Sequence, residues 1–188
     1  MVYKWFIADG RLPVDPARSC HESFSGNVVK RIVFLFVFLI PCASFAASKA
    51  DLVLVIKSEA MLYLVENGEV FKSFPVVFGA NPVGHKKRAG DNRTPEGHYI
   101  LDFKNEDSAF YKSIRISYPN EKDITRAAKR GLDPGGNIMI HGQRNGYGHL
   151  APVMQQYNWT EGCIAVTNYQ MDVIWDVVEV GTPITIMP

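Results

Sequence analysis

From residue 51 onward the apolar residues come in short runs broken by turn signals, not in helical periods. Residues 52–56 form an unbroken run of valine, isoleucine and leucine, which predicts a strand buried on both faces. Residues 61–65 and 70–78 read as the two arms of a hairpin, and Asn67-Gly68 between them supplies its positive-φ turn. Residues 98–103 alternate as a strand, and 114–118 make another that stops at Pro119. Asn120 is a plausible cap for a helix near 121–130, ended by Gly131 and Pro134-Gly135-Gly136. Residues 137–140 lead straight into His141. After residue 163, Asn168 can cap a second helix near 169–178, with Met171, Ile174, Trp175 and Val178 on one face, and residues 184–186 close the chain as a strand. Many short strands, two helices and no repeat predict a mainly β fold of sandwich or barrel type rather than βαβ units.

Residues 79–97 break this pattern. Four glycines and the charged stretch Lys86-Lys87-Arg88 make a loop long enough to be functional, although a solvated basic loop is the simpler reading. The 188 residues suit one globular domain, and a formal charge of +1 offers no basic field for nucleic acid.

The N-terminal segment has a logic of its own. Val29-Lys30-Arg31, a purely apolar run over 32–40, and small residues leading to Ser44-Phe45-Ala46 have the three-part layout of a secretory signal peptide. The run stops at Pro41, short of the roughly 20 residues that a membrane-spanning helix needs. A lipoprotein signal at Cys42 is a weaker alternative, because Pro41 stands where a small residue is expected. Residues 28–46 are therefore read as a signal peptide and the chain as exported. Residues 1–27 are read as a mis-annotated or disordered, dispensable leader, since Val28 and Val29 sit where a non-AUG start codon would be translated as valine.

Cleavage after Ala46 removes Cys20 and Cys42 and leaves Cys163 as the one thiol of a nearly neutral chain. An unpaired cysteine is unusual in an exported protein, because oxidising compartments favour disulfides. Cys163 follows His141 by 22 positions and stands next to Gly162. A thiol reacts as its thiolate and needs a base or a positive setting, for which His141 is the evident partner, while Gly162 permits a tight turn that brings amide N–H groups toward an oxyanion. The competing reading makes residues 163–166 plain core strand. A metal site among His85, His98, His141, His149 and Cys163 is a third, but no His-Glu-x-x-His or Cys-x-x-Cys spacing occurs, and neither metal nor cofactor is expected. His85 and His149 read as solvated loop residues and His98 as a satisfied strand residue.

Taken together, His141-Gly142 and Thr160-Glu161-Gly162-Cys163-Ile164 resemble the L,D-transpeptidase catalytic domain (YkuD-like). So do Gly90-Asp91, Thr94-Pro95-Glu96-Gly97-His98-Tyr99, residues 116–120 and Pro134-Gly135-Gly136. The resemblance covers about residues 51–188. It implies a β-sandwich-like catalytic domain acting on peptidoglycan stem peptides in the periplasm or elsewhere at the cell wall. By that resemblance Cys163 would attack the carbonyl at the L-centre of a diaminoacyl residue, expel D-alanine and form a thioester, with His141 as the base. Gly162 and Cys163 N–H groups would hold the oxyanion, Thr160 would support the loop, and Tyr118, Asp91 and Thr94 would contact substrate. The chain departs from the family pattern at Glu161, where histidine is frequent, and at Ala165, where arginine is common. Alternatives are an L,D-carboxypeptidase or an endopeptidase that uses water and detaches wall-linked protein, and a non-catalytic wall-binding module. Peptide mapping of the unprocessed precursor is expected to find no fragment from residues 1–27; any such fragment contradicts the reading of the leader.

Overall fold

The structure, a computed structural model, describes residues 48–188, so the leader, the signal peptide, Cys20 and Cys42 lie outside the described residues. Eight strands form one curled sheet: β1 (Leu52–Ile56), β2 (Met61–Glu66), β3 (Glu69–Pro75), β4 (Gly97–Ser108), β5 (Tyr111–Ile116), β6 (Met139–His141), β7 (Ile164–Ala165) and β8 (Pro183–Met187). Their order is β3-β2-β1-β8-β4-β5-β6-β7. The pairs β1–β8 and β6–β7 are parallel and the others antiparallel. The fold is thus mainly β, as the turn-punctuated pattern predicts, in the form of a single mixed sheet that curls on itself.

Strand β4 makes the curl possible. It runs for 12 residues, pairs with β8 at its start and with β5 beyond, and slips register twice, between Leu101 and Phe103 and between Asn105 and Ser108. Such irregularities bend a strand and raise its twist, so one strand can serve both halves of the sheet. The concave side encloses a core that includes Val53, Leu62, Leu64, Leu101, Ile114, Ile140, Ile164 and Ile184, each removed from solvent. Burying a side chain of this size contributes about 1.5–3 kcal/mol. The register of β5, β6 and β7 is held chiefly by such residues.

The β2–β3 hairpin turns at Asn67 and Gly68 with φ of 54° and 82°. Strand β1 differs from expectation: only Val53 and Val55 are fully buried, while Leu52, Leu54 and Ile56 are half-buried on the other face. Helix α1 (Glu121–Ala128) is capped by Asn120, whose side chain accepts from the Asp123 N–H while Asp123 returns the bond. A short helix α2 (Ala151–Met154), which the apolar pattern does not announce, follows His149. Helix α3 (Asn168–Val177) packs on β5 and buries Met171 and Ile174. Its cap is Thr167, not Asn168: Thr167 and Gln170 form the reciprocal box, and the Asn168 side chain instead accepts from the Gln143 N–H at 2.8 Å.

Gly79 lies where two loops touch. A Cβ there would collide with the Asn92 carbonyl oxygen and come within 3.0 Å of Gly162 Cα. Gly79→Ala is therefore expected to destabilise the protein by roughly 1–3 kcal/mol, the usual cost of overpacking, measured as a lower urea midpoint at unchanged m-value.

Candidate active site

The parallel pairing of β6 with β7 aligns Ile140 with Ile164 and His141 with Ala165. Side chains alternate along a strand, so Cys163, two residues before Ala165, shares a face with His141 as its diagonal neighbour. Both side chains line one cavity of about 560 Å³, whose walls also include Phe110, Ser113, Asn137 and Trp159. Strand β6 is sandwiched between β5 and β7, which gives the histidine a rigid mount.

The His141 ring is 4% exposed. Its Nδ1 is 2.7 Å from the Gly142 carbonyl oxygen. A carbonyl can only accept, so Nδ1 carries the proton and Nε2 presents its lone pair. Phe110 and Trp159 flank the ring at centroid distances of 4.7 and 5.7 Å. Burial lowers the imidazole pKa, opposed by the Gly142 hydrogen bond, so the ring is a neutral base at neutral pH. The following segment is tied down by Gly142 N–H to Lys112 O, Gln143 N–H to Asn168 Oδ1 and Gln143 Nε2 to Val166 O.

Cys163 is free and half-buried. Gly162 before it has φ of 132°, and a Cβ there would meet the Arg93 carbonyl oxygen at 2.6 Å, so glycine is required by both conformation and space. Thr160 shapes the turn: its hydroxyl donates to Cys163 O at 2.7 Å and accepts from Gly162 N–H at 3.2 Å. The Gly162 N–H is thereby engaged by Thr160. The Cys163 N–H has no hydrogen-bond acceptor among the described residues. The sulfur donates to the Asn137 carbonyl at 3.6 Å. Burial pushes the thiol pKa up and the Glu161 carboxylate adds to this, while a backbone hydrogen bond from Met139 and the Lys86 ammonium act against them. Both shifts favour an uncharged pair of thiol and imidazole.

Three residues expected to contact substrate are placed away from the His141 cavity. Tyr118 is 5% exposed and its hydroxyl donates to Pro134 O, so it packs in the interior. Thr94 is fully buried and its hydroxyl accepts from Gly79 N–H. Asp91 is held within its loop by Lys86 and by the N–H groups of Lys87, Arg88 and Arg93. Burial alone would raise its pKa, but these donors hold it down at about 2. None of the three lines the His141 cavity. His85 is also not solvated: its Nδ1 accepts from Glu96 N–H, and Nε2 lies 3.1 Å from Asp123. His98 lies 3.0 Å from Thr185 Oγ1 and His149 is exposed. Among the described residues, no group of three His, Cys, Asp or Glu side chains is close enough to hold a metal ion.

The structure adds residues that the apolar pattern did not single out. Phe110 and Trp159 enclose the imidazole, and Asn137, with φ of 55°, aims its carbonyl at the sulfur. Ala165 is wholly buried in β7. A cation arrives instead from the glycine-rich loop: Lys86 borders a second cavity of about 280 Å³ that also touches Cys163 and Glu161.

With this geometry in hand, comparison finds that residues 50–186 match the YkuD profile, described as the L,D-transpeptidase catalytic domain. The candidate L,D-transpeptidase YafK of Escherichia coli is 29% identical over 176 positions, covering 79% of this chain and 63% of the relative. The crystal structure of the helical cell shape determining protein Pgp2 from Campylobacter jejuni is similar at a TM-score of 0.55 and 26% identity, over 72% of this chain and 46% of that one. The chain therefore spans less than two thirds of the length of the relatives it matches.

Because the folded thiol pKa is raised, alkylation of Cys163 by iodoacetamide is expected to be slow at pH 7. Its rate should keep climbing beyond the ordinary thiol value of about 8.5 instead of levelling off there. Glu161→Gln should move that profile to lower pH and Lys86→Met to higher pH, read as rate against pH.

Proposed function

The chain belongs to the YkuD family of L,D-transpeptidase catalytic domains, and on that premise we propose that it is an exported cysteine acyl-transferase acting on peptidoglycan stem peptides. The observation that supports this most directly is one cavity bordered by Cys163 and by an imidazole whose Nδ1 is committed to the Gly142 carbonyl, leaving Nε2 as the proton acceptor.

In the proposed reaction the Cys163 sulfur attacks the carbonyl at the L-centre of the diaminoacyl residue while His141 Nε2 takes the thiol proton. The Cys163 N–H meets the developing oxyanion, with the turn around it braced by Thr160. The tetrahedral intermediate collapses, the imidazolium returns its proton to the departing amine of D-alanine, and a thioester remains. An acceptor amine, deprotonated by His141, then attacks the thioester and restores the thiol. The signal peptide read at residues 28–46 accounts for delivery to the periplasm or cell wall.

The same acyl-enzyme admits a second reading, in which water replaces the amine and the chain trims stem peptides or releases wall-linked protein. Incubation with tetrapeptide muropeptides distinguishes the two by mass spectrometry: cross-linked dimers for the transferase, tripeptides alone for the hydrolase. Cys163→Ala is expected to abolish either product with the melting temperature kept, His141→Ala to reduce turnover by about 10³-fold or more, and a carbapenem to add covalently at Cys163. Turnover surviving in Cys163→Ala, or an adduct elsewhere, overturns the assignment.

A further inference from the structure

Two lysines of the described chain are almost completely buried, and they differ in how far they are satisfied. The Lys57 side chain is 4% exposed and its ammonium uses all three donors, on Gly84 O, Thr94 O and Glu96 Oε1. The Lys86 side chain is 3% exposed and makes one hydrogen bond, to Asp91 Oδ1 at 2.8 Å. Asp91 is saturated: Oδ1 also accepts from Arg93 N–H, and Oδ2 from the Lys87 and Arg88 N–H groups. The carboxylate thus anchors the lysine, while two ammonium donors stay unmatched beside the cavity shared with Cys163. Leaving charged donors unmatched in a buried setting is costly, so a purely structural ion pair would be built as Lys57 is.

Glu161 lines the same cavity. It is exposed, has no hydrogen-bond or ion-pair partner among the described residues, and borders both this cavity and the larger one that contains His141. A simple anion drawn to Lys86 would meet repulsion from Glu161, and a simple cation the reverse. A group bearing carboxylate and ammonium on one carbon satisfies both side chains. The diaminoacyl residue whose L-centre carbonyl is presented to Cys163 carries such a free amino-acid head at its other end.

We propose that the 280 Å³ cavity bordered by Lys86, Glu161 and Cys163 is a specificity subsite for a zwitterionic α-amino-acid head, with Lys86 binding its carboxylate and Glu161 its ammonium. The assignment rests on the acyl-donor reading of the preceding section and names the feature of the donor that is recognised. It also gives Glu161, an unfavourable neighbour for a thiolate, a reason to be there.

Calorimetric titration of the chain carrying Cys163→Ala tests the subsite without turnover. Three probes are used: a muropeptide tetrapeptide with meso-diaminopimelate, the same peptide amidated at the D-centre carboxylate, and a tetrapeptide with lysine in place of the diaminopimelate. The first is expected to bind about tenfold or more tightly than either of the others, as the loss of a charge-assisted contact implies. Adding Lys86→Met should erase the preference for free carboxylate over amide, and adding Glu161→Gln should weaken the diaminopimelate peptide by a similar factor. Equal affinity for all three peptides, or binding of none, overturns the proposal. Should Lys86→Met fail to fold, the amidation comparison in the Lys86 protein decides alone. Release of D-alanine by the unsubstituted chain is scored separately and tests the acyl-transfer reading itself.

Discussion

Everything at the site depends on a two-residue parallel pairing. Aligning His141 with Ala165 puts Cys163 and His141 on the same face of the sheet, and a slip of one residue would turn the sulfur to the other face. So short a ladder cannot hold its own register. It is held by neighbours: the Ala165 N–H and carbonyl bond to Val77 on one side, β6 is clamped by β5 on the other, and Ile140 and Ile164 fill the interior beneath. The Gly79 segment adds a further constraint, because its backbone lies too close to the Asn92 carbonyl for any side chain and borders Gly162. Nucleophile geometry is thus a property of the whole curled sheet.

The electrostatic design follows from the same burial. Enclosing His141 between Phe110 and Trp159 lowers its pKa, and enclosing Cys163 raises that of the thiol. Both effects favour the uncharged pair at rest, in contrast to sites where a thiolate waits beside an imidazolium. An uncharged resting site costs less to bury than an ion pair. In the proposed reaction the charge separation falls on the attack step, where the Gly142 carbonyl would steady the imidazolium and the Cys163 N–H would meet the oxyanion.

The glycine-rich loop of residues 79–97 shows how far a local impression can mislead. Its charges read as a solvated basic loop, yet Lys86 and Thr94 are buried, Asp91 is fully bonded, and His85 reaches Asp123 at the start of α1. The loop acts as a wall. It holds one end of Gly162 in place and delivers an ammonium to the neighbourhood of the sulfur, from a part of the chain remote from the position where Ala165 replaces the family's common arginine.

What the amino-acid order determined by itself is what short-range chemistry governs. Asn67-Gly68 dictates the hairpin, because its positive φ angles are cheap there. Asn120 with Asp123 dictates where α1 begins, and turn-punctuated apolar runs dictate a mainly β chain. The pair of Cys163 and His141 stood out because few residue types can do nucleophilic chemistry and because cleavage of the signal peptide read at residues 28–46 would leave a single thiol. Other features were settled by the tertiary structure: Tyr118 turning inward, Asn168 bracing Gln143 while Thr167 caps the helix, the Gly162 N–H spent on Thr160, and Lys86 lying beneath the surface. Each of these depends on which distant segment arrives to offer a partner or exclude water. A turn or cap is decided within four residues, whereas burial and hydrogen-bond choice are decided by competition among groups that only the folded sheet brings together.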